Sequence, residues 1–378
     1  MMKRILPLLL VVCCLLSGCQ KKPEPVVNPV DEGIVVTVNG ESLSLRDYYA
    51  IESAYMAQYE AAGVDLTDEK VSAYLKDLAL SYAVEQMLVK QDMRAQGCYD
   101  FDEETEAWFQ QTGKETYQSA LNEVKSSLLA GDPTLTDADL ETYALAYAQS
   151  LSVTEQTYID FYRTQYASVK YNDWLLRDTP VTQADVQAEY EARVSESKTL
   201  YGESAAAFET ALNTGKEVWY RPEGYRAVLQ ILLPASGESQ ADKLASVQPT
   251  VDEIYARLAK GESFQSLIAL YGHDAQMNDA AFLATGYQIH QDSVIWEDAF
   301  VAAAFSAEMA QPGCWSQPMV SDLGVHILYY LADVAGGPVM LNDDISTALT
   351  AAIHDKRSSA AQAERITELA NAAEIVFH

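Results

Sequence analysis

The stretch SDLGVHILYY, residues 321–330, decides the fold of the region around it. Its β-branched, aliphatic and aromatic residues are typical of a buried strand. His326 lies in the middle of this strand, where a polar side chain is costly to bury unless it has hydrogen-bond partners. Two interpretations follow: a core histidine that a backbone carbonyl satisfies, or a residue of a functional site.

The segments that precede this strand predict an alternation of strands and helices. The sequence indicates a strand in YRAVLQILL, helices in VDEIYARLAKGESF, SLIALYG and WEDAFVAAAFS, and a further strand in CWSQPMV. A polar, irregular stretch covers residues 272–293. Strands and helices mixed in this way predict an α+β unit.

The N-terminal half of the chain is predicted to be almost entirely helical. A short strand, IVVTV (34–38), precedes the turn residues Asn39 and Gly40, and Ser44 with Asp47 forms a capping box that opens the first helix. This helix is predicted to stop near Gly63, and further helices are predicted at 67–97, 102–129, 136–177 and 182–218.

After the α+β unit the chain is predicted to return to helix over residues 342–373. The final segment EIVF (374–377) is predicted to be a strand that pairs with IVVTV. The helical half is rich in tyrosines, which either wedge the helices together or line a groove for apolar segments of other chains, since a tyrosine ring combines apolar area with a polar tip.

Composition limits the classes of function. The chain has 378 residues, which favours two domains, and 49% apolar residues, which suffices for packed cores. The net charge of -30 repels phosphate backbones and argues against nucleic-acid binding. It favours cationic or unfolded partners, although a lineage bias toward acidic residues would give the same composition.

The N-terminus, MMKRILPLLLVVCCLLSGC, reads as a bacterial lipoprotein signal over residues 1–19. Lys3 and Arg4 precede an apolar run that is short for a membrane-spanning helix, and the segment ends in Leu-Ser-Gly-Cys19. We expect Cys19 to be lipidated, and residues 20–32, with three prolines, to be a solvated spacer. The alternative is an ordinary secretory signal with a chance cysteine.

The remaining cysteines and the histidines predict no metal site and no disulfide framework. Beyond the signal and Cys19 only Cys98 and Cys314 remain, far apart in the sequence. The five histidines show no ligand spacing, and neither a phosphate-binding loop nor a G-x-S-x-G motif is present. We therefore expect no metal and no cofactor.

Four segments in order resemble the parvulin-type peptidyl-prolyl isomerases. They are YRAVLQILL (225–233), GESFQSLIALYGHD (261–274), WEDAFVAAAF (296–305) and PGCWSQPMVSDLGVHIL (312–328). The surrounding pattern resembles the PrsA foldases and SurA-like chaperones: a lipoprotein signal, a helical domain that opens with VNGESLSLRDY, an inserted parvulin unit, and a returning C-terminal helix. The resemblance covers nearly all of the chain after the signal.

This resemblance implies an α+β architecture with a mostly helical SurA-like chaperone domain and an inserted parvulin-like domain. The predicted chaperone domain is built from residues 33–221, completed by residues 337–378. The predicted parvulin-like domain covers residues 222–336. A homodimer is compatible with such a helical domain, and nothing in the sequence requires one.

The resemblance also assigns site residues. His326 matches one histidine of the parvulin pair, and Gln230 stands at the position of the other. Asp274 matches the acidic or cysteine position, and Ser321 the usual threonine. Phe300 matches the apolar floor for proline, and Trp296 takes the place of a methionine; these six residues form the predicted site.

Three departures from the family pattern bear on activity. Gln230 cannot titrate or exchange tautomers as imidazole does. Trp296 is bulkier than methionine and is placed to fill the proline pocket. The family's glycine-rich turn is replaced by residues 277–281, MNDAA, which restricts positive-φ conformations there.

The function predicted from these residues is that of an extracytoplasmic foldase. It would be lipid-anchored to the bacterial cell membrane and would act on unfolded secreted proteins, with weak peptidyl-prolyl isomerase activity. Whether it is an enzyme is left open, because the alternative is a catalytically inactive holdase of the same architecture. A second alternative, from another class, is a lipoprotein scaffold or solute-binding component.

Overall fold

The computed structural model describes residues 33–378. The predicted signal peptide, the predicted lipidation site at Cys19 and the predicted spacer at 20–32 lie outside the described residues. Within residues 33–378, no helix combines the length and apolarity that a bilayer-crossing segment needs.

The described chain forms an α+β structure. Its strands are β1 Ile34–Val38, β2 Glu41–Ser44, β3 Tyr220–Arg221, β4 Tyr225–Leu233, β5 Tyr287–Ile289, β6 Met319–Val320, β7 Val325–Val334, β8 Gly337–Pro338 and β9 Ile375–Phe377. Its helices are α1 Leu45–Ala61, α2 Glu69–Ala95, α3 Glu103–Gly131, α4 Asp137–Ser150, α5 Glu155–Leu175, α6 Gln183–Tyr201, α7 Ala205–Asn213, α8 Gln240–Ala259, α9 Phe264–Tyr271, α10 Ala280–Thr285, α11 Asp298–Ala304 and α12 Asp343–Ala372. Two short 3₁₀ turns cover Ala275–Asn278 and Ala307–Met309.

Two compact units divide the chain. The described part of the first covers residues 33–180 and 352–378, and the second covers residues 181–351. The sequence predicted domain boundaries between residues 221 and 222 and between residues 336 and 337. The difference arises because Tyr201 and Phe208 pack with Tyr225, and because β3 pairs with β8, so these flanking segments belong to the second unit by packing.

The first unit contains a small sheet of order β2-β1-β9. The predicted pairing of the C-terminal segment with IVVTV is confirmed: β9 runs antiparallel to β1, with Val36 opposite Phe377 and Val38 opposite Ile375. Val36 and Val38 are buried against Leu88 of α2. Because alternate residues of a strand face the same way, Val36 and Val38 lie on one face of the sheet. This face packs against α2 and is the buried face of the sheet.

A buried charge cluster joins three helices of the first unit. Asp92 of α2 is 5% exposed and accepts hydrogen bonds from Arg365 of α12, at 2.8 and 2.9 Å, and from the Tyr171 hydroxyl of α5 at 2.6 Å. Burial opposes ionisation of Asp92, yet the hydrogen bonds from Arg365 and Tyr171 outweigh it and lower its pKa to about 2. The cluster therefore ties the C-terminal helix to the N-terminal helices through an ionised carboxylate.

Several predicted elements differ from those observed. The helix predicted over 136–177 is interrupted, because Thr154 caps α5 by accepting from the Thr157 amide and Ser152 adopts a φ of 55°. The helix predicted over 182–218 ends at Tyr201, and Ser204 caps α7 in the same way. Of the strand predicted in CWSQPMV, only β6 and a bridge from Trp315 to Tyr329 form.

The second unit is built on a four-stranded antiparallel sheet of order β5-β4-β7-β6. One face carries alternate residues of the two central strands, including Leu229, Ile231 and Ile327, and packs against α8 and α9. The opposite face carries Val228 and Leu328 and packs against α11. Most residues of β4 and β7 are apolar on both faces, as expected for strands that are covered on both sides.

Candidate functional site

The opposite face of the sheet carries two polar side chains at one end, Gln230 and His326. In the β4–β7 register Gln230 lies opposite Leu328, and His326 lies opposite Leu232. Gln230 and His326 are therefore diagonal neighbours on one face. Gln230 is 7% exposed and His326 3% exposed, so both need protein partners for their polar atoms.

These two side chains belong to a continuous chain of hydrogen bonds, which we call the relay: Ser321, His326, Gln230 and Asp274. Ser321 Oγ lies 2.7 Å from His326 Nε2, and His326 Nδ1 lies 2.7 Å from Gln230 Oε1. Gln230 Nε2 donates to Asp274 Oδ2 at 2.5 Å. Every polar atom of the two buried side chains thus has a partner.

Asp274 is held in place by the backbone and by a tyrosine. It follows α9 and caps the first 3₁₀ turn, because its Oδ1 accepts from the Gln276 amide at 3.0 Å. The preceding residue is fixed to β4, where the His273 amide donates to the Leu232 carbonyl at 2.9 Å. The Tyr287 hydroxyl of β5 donates to Asp274 Oδ2 at 2.7 Å.

Ser321 is positioned by the tight turn between β6 and β7. The Ser321 amide donates to the Gly324 carbonyl at 2.8 Å, and the Leu323 amide donates to Ser321 Oγ at 3.0 Å. Gly324 has a φ of 143°, and a Cβ there would collide with the Leu233 carbonyl oxygen. Glycine is therefore required at this turn, which aims the serine hydroxyl at His326.

Three aromatic rings lie beside the relay. The Phe300 ring meets His326 edge-on, with ring centroids 5.7 Å apart, and Trp296 stacks on Phe300 at 5.1 Å. Tyr287 meets Trp296 edge-on at 5.0 Å. Trp296 is partly exposed, whereas Phe300 is 5% exposed beneath it.

The surroundings of the relay shift two pKa values. Burial lowers the pKa of His326 to about 4, although the charge of Asp274 acts in the opposite direction. The imidazole is therefore neutral at neutral pH. Burial, together with the hydrogen bond to Asp274, raises the pKa of Tyr287, which keeps its hydroxyl protonated as a donor.

The six residues predicted from sequence lie in one cluster, while one member was missed. The relay contains Gln230, Asp274, Ser321 and His326, and Trp296 with Phe300 adjoins it. Tyr287 was missed because it lies in a stretch that sequence patterning treated as irregular; the isolated aromatic after Gly286 was its only signal.

The segment that replaces the family's glycine-rich turn is helical. A 3₁₀ turn ends at Asn278, and α10 begins at Ala280 with Asp279 as its cap, whose Oδ1 accepts from the Ala281 and Phe282 amides. Asp279 itself is extended, with a φ of -88°, and no residue from 277 to 281 has the positive φ that favours glycine. Among residues 33–378, no three His, Cys, Asp or Glu side chains gather in a geometry that would hold a metal ion, and Cys98 and Cys314 are free thiols.

Comparison with known proteins gives matches of structure alone. No protein-family model and no curated protein sequence matches the chain. It is similar to the crystal structure of PrsA from Bacillus subtilis, with 17% identity over 68% of this chain and 82% of that chain and a TM-score of 0.24. It is also similar to a chain from the structural work on PEB4 and Cj1289, two SurA-like chaperones of Campylobacter jejuni, with 15% identity over 92% of this chain and 100% of that chain and a TM-score of 0.30.

A third similar structure is the foldase PrsA from Lactococcus lactis, with 12% identity over 91% of this chain and 94% of that chain and a TM-score of 0.24. At such TM-scores these likenesses assign no role to any residue of this chain.

Proposed function

We propose that this chain is an extracytoplasmic folding factor that binds X–Pro segments of unfolded secreted polypeptides and isomerises them slowly. The observation that carries the proposal is the relay, which lies directly beside the Trp296–Phe300 stack. A fixed hydrogen-bond network next to an apolar wall suits a prolyl amide, because the reaction breaks no covalent bond, consumes no cofactor and needs only a site that favours the twisted amide.

The chemistry follows from the resonance of the peptide bond. Rotation meets a barrier of about 18–20 kcal/mol, because the planar amide gains partial double-bond character. For X–Pro both planar forms are populated in unfolded chains, so the catalyst has only to favour the twisted state. Replacing water by fixed, neutral groups such as His326 and Phe300 weakens solvation of the polar planar amide more than that of the twisted one.

A second candidate function, a holdase without turnover, is favoured by the position of Trp296. Its ring covers Phe300 at a centroid distance of 5.1 Å and leaves that side chain 5% exposed. In this alternative an X–Pro segment packs on the outer face of Trp296 and never reaches Phe300. Binding would remain, while the twisted amide would gain no special environment.

The helical unit offers a further apolar surface that suits a chaperone. Trp108 of α3 is 39% exposed, Tyr166 of α5 is 40% exposed, and their rings lie 5.2 Å apart. Tyr162 joins the same cluster, with its ring 5.4 Å from that of Trp108. We assign these rings to transient contacts with apolar segments of unfolded chains, the second of the two roles considered for the tyrosines.

We further propose that the chain is tethered to the bacterial membrane by a lipid on Cys19, in keeping with the signal sequence. The chain is expected to incorporate labelled fatty acid, and a Cys19→Ser variant is expected to incorporate none. Absence of label from the unaltered chain, or equal labelling of the variant, would contradict the tether.

The function is tested by cis/trans exchange of a short X–Pro peptide, measured by NMR with the chain from Gln20 onward. Acceleration that His326→Ala abolishes supports the isomerase. No acceleration, from a folded sample that still suppresses aggregation of a denatured protein, supports the holdase. Failure of both assays would refute the proposed function.

A further inference from the structure

We propose that Gln230 is a positioning residue that fixes the direction of every hydrogen bond in the relay, so that His326 carries its proton on Nδ1 and the Ser321 hydroxyl proton points inward. The inference rests on the proposed function only in taking this site as the one that meets substrate. The direction itself follows from the chemistry of the donors and acceptors.

Asp274 determines which atoms donate and which accept along the relay. A carboxylate accepts hydrogen bonds and donates none, so the Gln230 atom 2.5 Å from Asp274 Oδ2 must be the amide nitrogen. The Gln230 oxygen is therefore the atom that faces His326 Nδ1 at 2.7 Å. Because that oxygen only accepts, Nδ1 must carry the proton.

The same reasoning continues to the other end of the relay. A neutral imidazole that is protonated on Nδ1 has an unprotonated, accepting Nε2. Ser321 Oγ, 2.7 Å from Nε2, must then donate its single proton inward. Its oxygen already accepts from the Leu323 amide, so Ser321 offers an approaching peptide an acceptor and no donor.

Tyr287 supports this direction because its hydroxyl also donates to Asp274. Asp274 receives three donors: Gln230 and Tyr287 on Oδ2, and the Gln276 amide on Oδ1. Both oxygens of Asp274 are thus occupied as acceptors, which is the arrangement that the inferred direction requires. The Tyr287 ring also contacts Trp296, so one side chain supports both the relay and the aromatic wall.

Glutamine differs from histidine at this position in one decisive way. Two adjacent imidazoles can exchange tautomers together, and the proton direction along them can then reverse. The amide of Gln230 cannot reverse without placing its oxygen against the Asp274 carboxylate. The relay of this chain is therefore held in one direction, and the resulting lack of a donor at Ser321 is consistent with the slow turnover in the proposed function.

The test is the tautomer of His326, read by long-range ¹H–¹⁵N NMR of the ring in the chain from Gln20 onward, without peptide. We expect a protonated Nδ1 and an unprotonated Nε2 from about pH 5 to about pH 8. In Gln230→Leu the Nδ1 proton loses its acceptor, and we expect the ring to change to the Nε2-protonated form, which donates to Ser321. In the matched variant Ser321→Ala, Gln230 is intact and the Nδ1-protonated form should persist.

Three results would overturn the inference: a wild-type ring protonated on Nε2, a Gln230→Leu ring that keeps the Nδ1 proton, or a Ser321→Ala ring that loses it. If Gln230→Leu does not fold, the wild-type and Ser321→Ala spectra decide alone. A chain that lacks isomerase activity but shows the expected tautomers would refute the catalytic part of the proposed function and leave the role of Gln230 intact.

Discussion

Acidification should destabilise the second unit through a single side chain, His326. Burial lowers its pKa to about 4 in the folded protein, whereas an unfolded chain has a histidine pKa of about 6.5. Between these two values the unfolded state binds a proton that the folded state rejects. The free energy of unfolding therefore falls as the pH drops from about 6.5 toward about 4, and the contribution is constant below that.

The size of this effect follows from the pKa difference. A difference of about 2.5 units corresponds to about 3 kcal/mol between the two limits, and to about 2 kcal/mol between about pH 7 and about pH 4.5. Protonation of Nε2 would also remove the acceptor for the Ser321 hydroxyl, whereas the bond that Nδ1 donates to Gln230 would remain. This loss is a substantial part of the stability of a typical domain.

The assay is urea unfolding of the chain from Gln20 onward, followed by NMR signals of residues 181–351 at the two pH values. His326→Gln is the matched control, because an amide donates and accepts but does not titrate. Wild type should lose about 2 kcal/mol more than the control between about pH 7 and about pH 4.5. Equal losses in both proteins, or a ring that titrates near its unperturbed value, would refute the reasoning.

Three further predictions concern individual side chains. Arg365→Leu leaves the carboxylate of Asp92 buried without its cation and should lower the free energy of unfolding of the first unit by about 3–5 kcal/mol in urea titrations; a loss below 1 kcal/mol would contradict the role of the pair. Trp296→Met should uncover Phe300 and increase X–Pro exchange measured by NMR, and unchanged or slower exchange would show that the indole does not obstruct the site. Gly324→Ala forces a Cβ against the Leu233 carbonyl in a left-handed turn and should cost about 1–3 kcal/mol of stability in thermal unfolding, whereas a neutral substitution would show that the turn is relaxed.

Long, strongly patterned elements could be predicted from the sequence. The helix that follows Ser44 was predicted to stop near Gly63, and it ends at Ala61. The strand around His326 and the strand that pairs with it were also predicted, because β-branched and aliphatic runs bounded by turn residues are typical of buried strands. The pairing of EIVF with IVVTV was predicted as a contact between the two separated segments of the helical domain, and it is present.

Breaks inside helical sequence were missed because their signals are single side chains. Thr154 and Ser204 look like ordinary polar residues of a helix until their hydroxyl groups are seen to accept the amide three residues later. Propensity sums over a window barely register one cap. For the same reason the stretch 136–177 was predicted as one helix where two are present.

The motifs predicted six residues that the structure brings into one cluster, but the directions of the hydrogen bonds among them could not be predicted. The resemblance placed Gln230, Asp274 and His326 together without saying which atom donates to which. That information depends on distances of less than 3 Å between residues that are far apart in sequence. Tyr287, which completes the site, required the sheet order that brings β5 beside β4.

The pairing of β1 with β9 has a consequence for how the polypeptide acquires its structure. Thr37 and His378, whose side chains hydrogen-bond across this sheet, are 341 residues apart, so closing the sheet requires almost all of the described chain to have been made. Closing so long a loop costs entropy that grows only slowly with its length, roughly as (3/2)RT ln n, and the cost falls if the intervening residues are already compact. Residues 181–351 are continuous in sequence and form a compact unit that contains neither β1 nor β9. During synthesis from the N-terminus, the sheet of the first unit would therefore remain incomplete until β9 has been made.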